Sequence, residues 1–278
     1  MKKSISDKNK HLGEILRGMD RIIVAFSGGV DSTLVVKRAQ QELGSSNVLA
    51  VVVASELFRE EEFDGAVKLA EMIGVNVHKA EIKELEDENI VRNTPDSWYY
   101  SKKLLYTHLN HLAEELGYNY VLDGMIMDDL EDFRPGLQAR TEAGVRSVLQ
   151  EAKLYKKEVR ELSKELNLPV WNKPASCSLA SRIPYGTKLN RRKIQQVNEA
   201  EKFIMKLGFD RVRIRHHGSV ARIEVDQKEI SELLDHSDNI HAYLTSLGFH
   251  YVSVDLLGYR TGSMNESLET ELEKEEIS

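Results

Sequence analysis

The chain has a single cysteine, Cys177, in 278 residues. That excludes a disulfide framework within the chain, and any zinc or iron–sulfur site built from paired cysteines of one chain. It also lacks a basic excess. Lysine plus arginine number 38 against 45 aspartates plus glutamates, a net charge of −7, which argues against a general nucleic-acid binder. No apolar run approaches the ~18 residues of a membrane span. The opening MKKSISDKNK is charged with no apolar stretch after it, so a cleaved leader is not expected, and a cytoplasmic protein is. The nine histidines show no HExxH spacing. The acid-rich 265–278 stretch is expected to be a frayed helix or tail.

What remains is ordinary globular composition, 41% hydrophobic and 30% charged, in a length fitting one or two domains. Short apolar runs alternate with helical patterns through about residue 170, the signature of βαβ units around a parallel sheet. Strands are expected at 21–26 (RIIVAF), 47–54, 76–82 and 118–122. Helices are expected at 33–43, 61–73, 101–116 and 155–166. A Pro/Ser/Gly-rich loop at 171–187 changes the composition, and an αββαβ pattern follows it. The expected fold is therefore α/β, with a parallel-sheet domain over 1–180 and a smaller α+β domain over 181–278.

SGGVDS lies between the first strand and the first helix. Gly28 and Gly29 let the backbone turn tightly and approach a ligand. The N–H groups of Val30 and its neighbours at the helix start form an anion site. Ser27 and Ser32 add hydroxyl donors, and Asp31 suits a Mg²⁺ ion bridging carboxylate and phosphate. The loop is not GxxxxGK[ST], because no lysine follows the glycines. By local spacing alone it could also be a plain turn in which Asp31-Ser32 caps the helix. Ligands of doubly wound sheets bind at the carboxyl ends of strands. Ser55, ending the second strand, is thus placed to meet adenine, and DGMIMDD, ending the fourth, brings Gly124, Met125 and Asp128. Asp128 and Asp129 taken alone read equally as a solvated helix cap.

The hexapeptide resembles the PP-loop of ATP pyrophosphatases, which cleave ATP between the α and β phosphates and adenylate a substrate. DGMIMDD is similar to the GTNxDD segment of that superfamily, with Met125 and Ile126 replacing Thr and Asn. Cys177 stands in ASCSLASRIPYG between Lys173 and Arg182, whose positive field would favour thiolate; a small buried hydrophobe is the other reading of a lone cysteine. In VRIR the strand period of two puts Arg213 and Arg215 on one face. A two-residue turn at Gly218-Ser219 then sets Arg215 opposite Arg222 and Arg213 opposite Glu224. Three arginines against one glutamate suggest a phosphate, and an exposed, salt-bridged sheet face is the alternative.

SGGVDS, SELFREEEFD, NTPDSWYY, DGMIMDD, RPGLQAR and ASCSLASRIPYG together span nearly the whole chain. They resemble the LarE family of ATP-dependent sacrificial sulfur transferases, of nickel-pincer nucleotide cofactor biosynthesis and lactate racemase maturation. The resemblance implies ATP and a divalent cation such as Mg²⁺, and a small-molecule nucleotide substrate, pyridinium-3,5-biscarboxylic acid mononucleotide. It implies that Cys177 displaces AMP from an adenylated carboxylate, gives up its sulfur and becomes dehydroalanine. Ser181, Arg213 and Arg215, with Arg182 near them, are implied as ligands for the substrate phosphate. Trp98 is implied as a platform for the pyridinium ring, where cation–π attraction would act. Glu201 and Glu232, with Glu224, are implied as metal ligands beside Asp31. Relatives with extra cysteines hold an iron–sulfur cluster; none is expected here, and single turnover is. The family tends to form hexamers, so a homo-oligomer is expected. A PP-loop amide synthetase using ammonia on an adenylated acid is the competing reading; it would not need Cys177.

Overall fold

The computed structural model describes residues 4–130, 135–260 and 262–264. The acidic stretch 265–278 and the Arg134 of RPGLQAR lie outside them. Two compact units emerge. The first comprises 1–90 and 95–176, and the second 91–94 and 177–278. The chain division thus falls beside Cys177, and a four-residue piece from the first half belongs to the second unit.

In the first unit, parallel strands β1 (Ile22–Ala25), β2 (Val48–Ala54), β3 (Asn76–Glu81) and β4 (Tyr120–Leu122) lie in the order β3-β2-β1-β4. Ile22 pairs with Val48 on one side and Tyr120 on the other. The strands read as continuous apolar runs because both faces are covered. Ile22, Val24, Val48, Ala50 and Val52 pack into one core, and Ile23, Leu49 and Val51 into the other. The first core is closed by α1 (Ile5–Arg17), α2 (Val30–Leu43) and α3 (Glu60–Ile73). The short α4 (Glu88–Val91) leads to α5 (Ser97–Leu116) and α6 (Gly136–Glu142), which cover the opposite face. Then come α7 (Val148–Glu151) and α8 (Lys156–Glu165), packed on the first core.

Helix α1 was not anticipated. Its start is a capping box, in which the Asp7 amide donates to Ser4 Oγ at 3.1 Å and the Ser4 amide to Asp7 Oδ2 at 3.1 Å. Leu12 and Leu16, one turn apart, bury its inner face. Helix α5 begins at Ser97, four residues ahead of expectation, so it includes Trp98. Because β2 and β3 run off one side of β1 while β4 lies on the other, the strand order reverses between β1 and β4. The crevice outside their carboxyl ends is where such sheets bind ligands, and both Gly-containing motifs open there.

The second unit runs α9 (Arg191–Lys206), β5 (Arg213–His217), β6 (Val220–Glu224), α10 (Ile230–Asp235), α11 (Ser237–Ser246) and β7 (Tyr251–Val254). Strands β5 and β6 form the expected hairpin, with Gly218 at φ 65° in its turn. Strand β7 returns parallel to β6. The single helical stretch expected before β7 is two helices, broken at His236. Ile214, Ile223, Phe209, Leu244 and Phe249 form this unit's core.

Candidate active site

The loop after β1 is built for a close ligand. Gly28 has φ 66°, and a Cβ there would stand 2.9 Å from the Cα of Ala66 on α3, so both handedness and space demand glycine. Gly29 is the N-cap of α2, and no side chain caps the helix. This corrects the alternative in which Asp31-Ser32 serves as the cap. The amides of the first turn keep no side-chain acceptor, and their dipole end favours an anion. The Ser27 and Ser32 hydroxyls face each other at 3.2 Å. A Cβ on Gly124 would lie 2.8 Å from the Ser32 amide nitrogen. The β4 loop therefore runs directly against the β1 loop and can do so only with glycine.

The same β4 loop is pinned from beneath. Asp123 accepts from Tyr106 Oη at 2.9 Å, Ser147 Oγ at 2.6 Å and the Met125 amide at 3.1 Å. Ile126, where the superfamily motif has a polar residue, is 1% exposed and packs in the core. Asp129 accepts from the Ile126 amide at 2.8 Å. Asp128 is exposed and accepts from the Lys156 amide at 2.8 Å, so it fixes the start of α8. From there Lys156 Nζ reaches Asp31 Oδ2 at 2.6 Å. Burial raises the Asp31 carboxyl above its ordinary value, against the opposing pull of Lys156. Asp31 Oδ1 is buried with no hydrogen-bond partner. An idle buried carboxylate oxygen beside an open helix N-terminus fits a Mg²⁺ held by one carboxylate and a nucleotide's phosphates. Lys156 escaped the sequence reading because it lies far from the motif in the chain.

At the end of β2, Ser55 Oγ donates to Glu84 and accepts from the Leu57 amide at 3.0 Å. Glu84, 1% exposed, also accepts from Ser101 Oγ; burial raises its carboxyl despite these two hydroxyls. Ser55 is thus held rigidly at the strand end. Trp98 lies half-buried in the first turn of α5.

In the second unit Cys177 is exposed and carries a free thiol. Its loop is tied down by Arg182, whose Nη1 donates to Cys177 O at 3.2 Å, Ser178 O at 3.0 Å and Ser181 Oγ at 2.7 Å. Nε and Nη2 of Arg182 clamp Glu201 at 3.0 and 3.2 Å. Glu201 also accepts from the Ile214 amide at 2.9 Å. The segment 91–94 belongs to this unit because of Asn93. That residue, at φ 52° and 2% exposed, donates to Ile183 O at 3.1 Å and Pro184 O at 3.0 Å. The Gly186 amide returns to Asn93 O at 2.9 Å. Asn93 therefore braces the loop beyond Cys177 from almost ninety positions away in the chain.

The hairpin register is the expected one, Arg215 opposite Arg222 and Arg213 opposite Glu224. Equal position on the face does not make the arginines equal. Arg215 is 8% exposed and grips Glu224 at 2.9 and 2.8 Å, Ser181 O at 2.8 Å and Ser263 Oγ at 2.6 Å. Arg222 shares Glu224 and Asp255, and Arg260 also pairs with Asp255. Arg213 is half-buried, and burial first, then Arg182, pull its guanidinium below the ordinary value. Arg182, Arg213, Arg215, Arg222 and Arg260 gather around Glu201, Glu224 and Asp255.

Of the metal ligands expected in this unit, Glu201 and Glu224 are fully buried on arginines, and Glu232 is exposed on α10. Among the described residues no cluster of three His, Cys, Asp or Glu side chains fits a metal ion. Lys173 pairs with Glu62 at 2.6 Å.

A parallel sheet with a capless glycine loop at its reversal point, over an aspartate ready for a cation, defines a PP-loop nucleotide-binding domain. Accordingly, the NAD synthase family model matches residues 6–96. The chain belongs to the family of pyridinium-3,5-bisthiocarboxylic acid mononucleotide synthases. It is 51% identical to the enzyme of that name from Lactiplantibacillus plantarum, over 95% of this chain and 96% of the other. It is also 39% identical to an uncharacterized protein of Synechocystis over 95% of this chain and 99% of that one. An uncharacterized protein of Methanocaldococcus jannaschii is 28% identical over 94% of this chain and 98% of its own length. No described helix is long and apolar enough to cross a membrane.

Proposed function

We propose that the chain is an ATP-dependent sulfur transferase that converts a carboxylate of pyridinium-3,5-biscarboxylic acid mononucleotide to the thiocarboxylate, with Cys177 as the sulfur donor. One observation carries the reading beyond family membership: the chain's sole thiol is exposed, on a loop braced by Arg182–Glu201 and by Asn93. A donor that surrenders its own sulfur must be presented to solvent yet held in place.

The substrate carboxylate oxygen attacks the α phosphorus of ATP, and pyrophosphate leaves. The N–H groups of Gly29, Val30, Asp31 and Ser32, with the Ser27 and Ser32 hydroxyls, receive the phosphates. Asp31 would hold Mg²⁺, which would supply charge neutralisation to the polyphosphate. Ser55, Gly124, Met125 and Asp128 border the nucleotide. The Cys177 thiolate then attacks the acyl carbon and AMP leaves, giving a thioester. Loss of the Cα proton of residue 177 breaks its Cβ–S bond. The sulfur departs on the substrate, and dehydroalanine remains. Arg213 and Ser181 receive the substrate phosphate, with Arg215 adding its charge from behind and Arg182 holding the loop. Trp98 stacks on the pyridinium ring. Each copy acts once, as a homo-oligomer of hexameric type in the cytoplasm, where a lone thiol stays reduced.

Intact-protein mass spectrometry after incubation with Mg·ATP and the dicarboxylate mononucleotide tests this. The expected result is loss of one H₂S per chain, localised to residue 177. Unchanged mass with AMP accumulating would leave the adenylation and remove the sulfur donation, favouring an amide synthetase.

A further inference from the structure

The phosphate loop carries no lysine of its own, yet an ammonium stands at it. Lys156 Nζ lies 2.6 Å from Asp31 Oδ2, across 125 positions of sequence. Three observations set this pair apart from a surface ion pair. Asp31 Oδ1 is buried and has no hydrogen-bond partner, so Lys156 leaves half of the carboxylate's accepting capacity unused. The Lys156 backbone is fixed by Asp128, so the β4 loop that packs on the phosphate loop also sets where the ammonium stands. The Lys156 side chain keeps 37% of its surface exposed against 24% for Asp31, so its flexible stem can swing without opening the core.

We infer that Asp31 and Lys156 form an exchange pair that couples the divalent cation to phosphate recognition. This rests on the ATP reading above. Without nucleotide, Lys156 neutralises Asp31 and is itself masked. When a divalent cation arrives with the polyphosphate, its double charge outcompetes the ammonium for the carboxylate, and both carboxylate oxygens become usable. Lys156, released beside the open amides of α2, turns to the phosphates as a point charge, where it stabilises the departing pyrophosphate. The chain thus obtains from α8 the lysine its motif lacks, and obtains it only when metal accompanies the nucleotide. Bare ATP meets a lysine masked by its carboxylate.

The experiment is calorimetric titration of the full chain with α,β-methylene-ATP, with Mg²⁺ and with chelator. Lys156→Gln should weaken binding of the Mg²⁺ complex about tenfold, and Asp31→Asn, by unmasking Lys156, should tighten metal-free binding about tenfold over the unmutated protein. Asp31→Asn also removes a repulsive charge, so the double variant Asp31→Asn/Lys156→Gln is decisive: it should lose the gain. If the gain persists in the double variant, or Asp31→Asn shows none, the exchange pair is overturned while the ATP reading stands. Should Asp31→Asn fail to fold, unchanged affinity of Lys156→Gln for the Mg²⁺ complex overturns it equally. If the unmutated chain with Mg²⁺ does not bind the analogue, the ATP reading falls and takes the exchange pair with it.

Discussion

Replacing Arg182 by alanine tests how the cysteine loop is held. Arg182 and Glu201 are 3% and 0% exposed and joined by two parallel N–H···O bonds. The pair's net worth against a hydrophobic replacement is small, because desolvating both ions offsets their attraction. Removing one partner is different. The Glu201 carboxylate would remain in the core, having lost both hydrogen bonds from Arg182. Removing one partner of a buried pair costs about 3–5 kcal/mol. Acceptors on Cys177, Ser178 and Ser181 each lose a donor as well, so the loop should loosen and sulfur transfer should slow. Urea unfolding followed by circular dichroism gives the stability loss, and the double variant Arg182→Met/Glu201→Gln closes a cycle. It should be more stable than Arg182→Ala, since no charge is left unpaired. A loss under about 1 kcal/mol for Arg182→Ala, far below the buried-pair range, would refute the reasoning. So would a chelator that lowers the midpoint of the unmutated chain while Arg182→Ala costs little, because Glu201 would then be serving a metal.

Gly124→Ala should cost about 1–3 kcal/mol of stability and weaken ATP binding more than it slows folding, because its Cβ would push the Ser32 amide out of the phosphate site; equilibrium titration and melting check both. Cys177→Ala should still form AMP and pyrophosphate with the dicarboxylate and yield no thiocarboxylate, as followed by chromatography of both products. Arg213→Ala should raise KM for the mononucleotide, whereas Arg215→Ala should lower the unfolding midpoint, because it strips two hydrogen bonds from the fully buried Glu224 and leaves it to Arg222 and Ser263. Burial lowers the pKa of His216 below 6.5, so the folded state binds its proton less readily than the unfolded chain. The stability this residue contributes is complete above 6.5 and lost as pH falls through the lowered folded value. Melting from neutral pH to about 5 should drop more steeply in the unmutated chain than in His216→Gln, and parallel curves would refute it.

The parallel sheet was legible because buried strands such as IIVA and VLAVVVA have no polar face to obscure them, and glycines at 74 and 117 end the helices before β3 and β4. Helix α1 was passed over because its charged outer face dominates MKKSISDKNK, and its two apolar anchors come only at Leu12 and Leu16. The division of 227–247 at His236 carries no proline or glycine to announce it. The phosphate loop, the lone thiol and the arginine face were all readable, since each is a local pattern of a few residues.

Partnership was not readable. Residue type and spacing by themselves determined a nucleotide-binding α/β domain, an α+β domain following it in the chain and one cysteine in an unusual loop. Tertiary structure decided that Lys156 pairs with Asp31, and that Asn93 and Arg182 hold the cysteine segment. It also decided that Glu201 and Glu224 are consumed by arginines, and that Arg213 and Arg215, alike along the strand, differ in what surrounds them. The reason is physical. Backbone geometry and hydrophobic periodicity are set by neighbours in the chain, whereas the state of a charge is set by which opposite charge folding brings within about 3 Å, and how much water it removes.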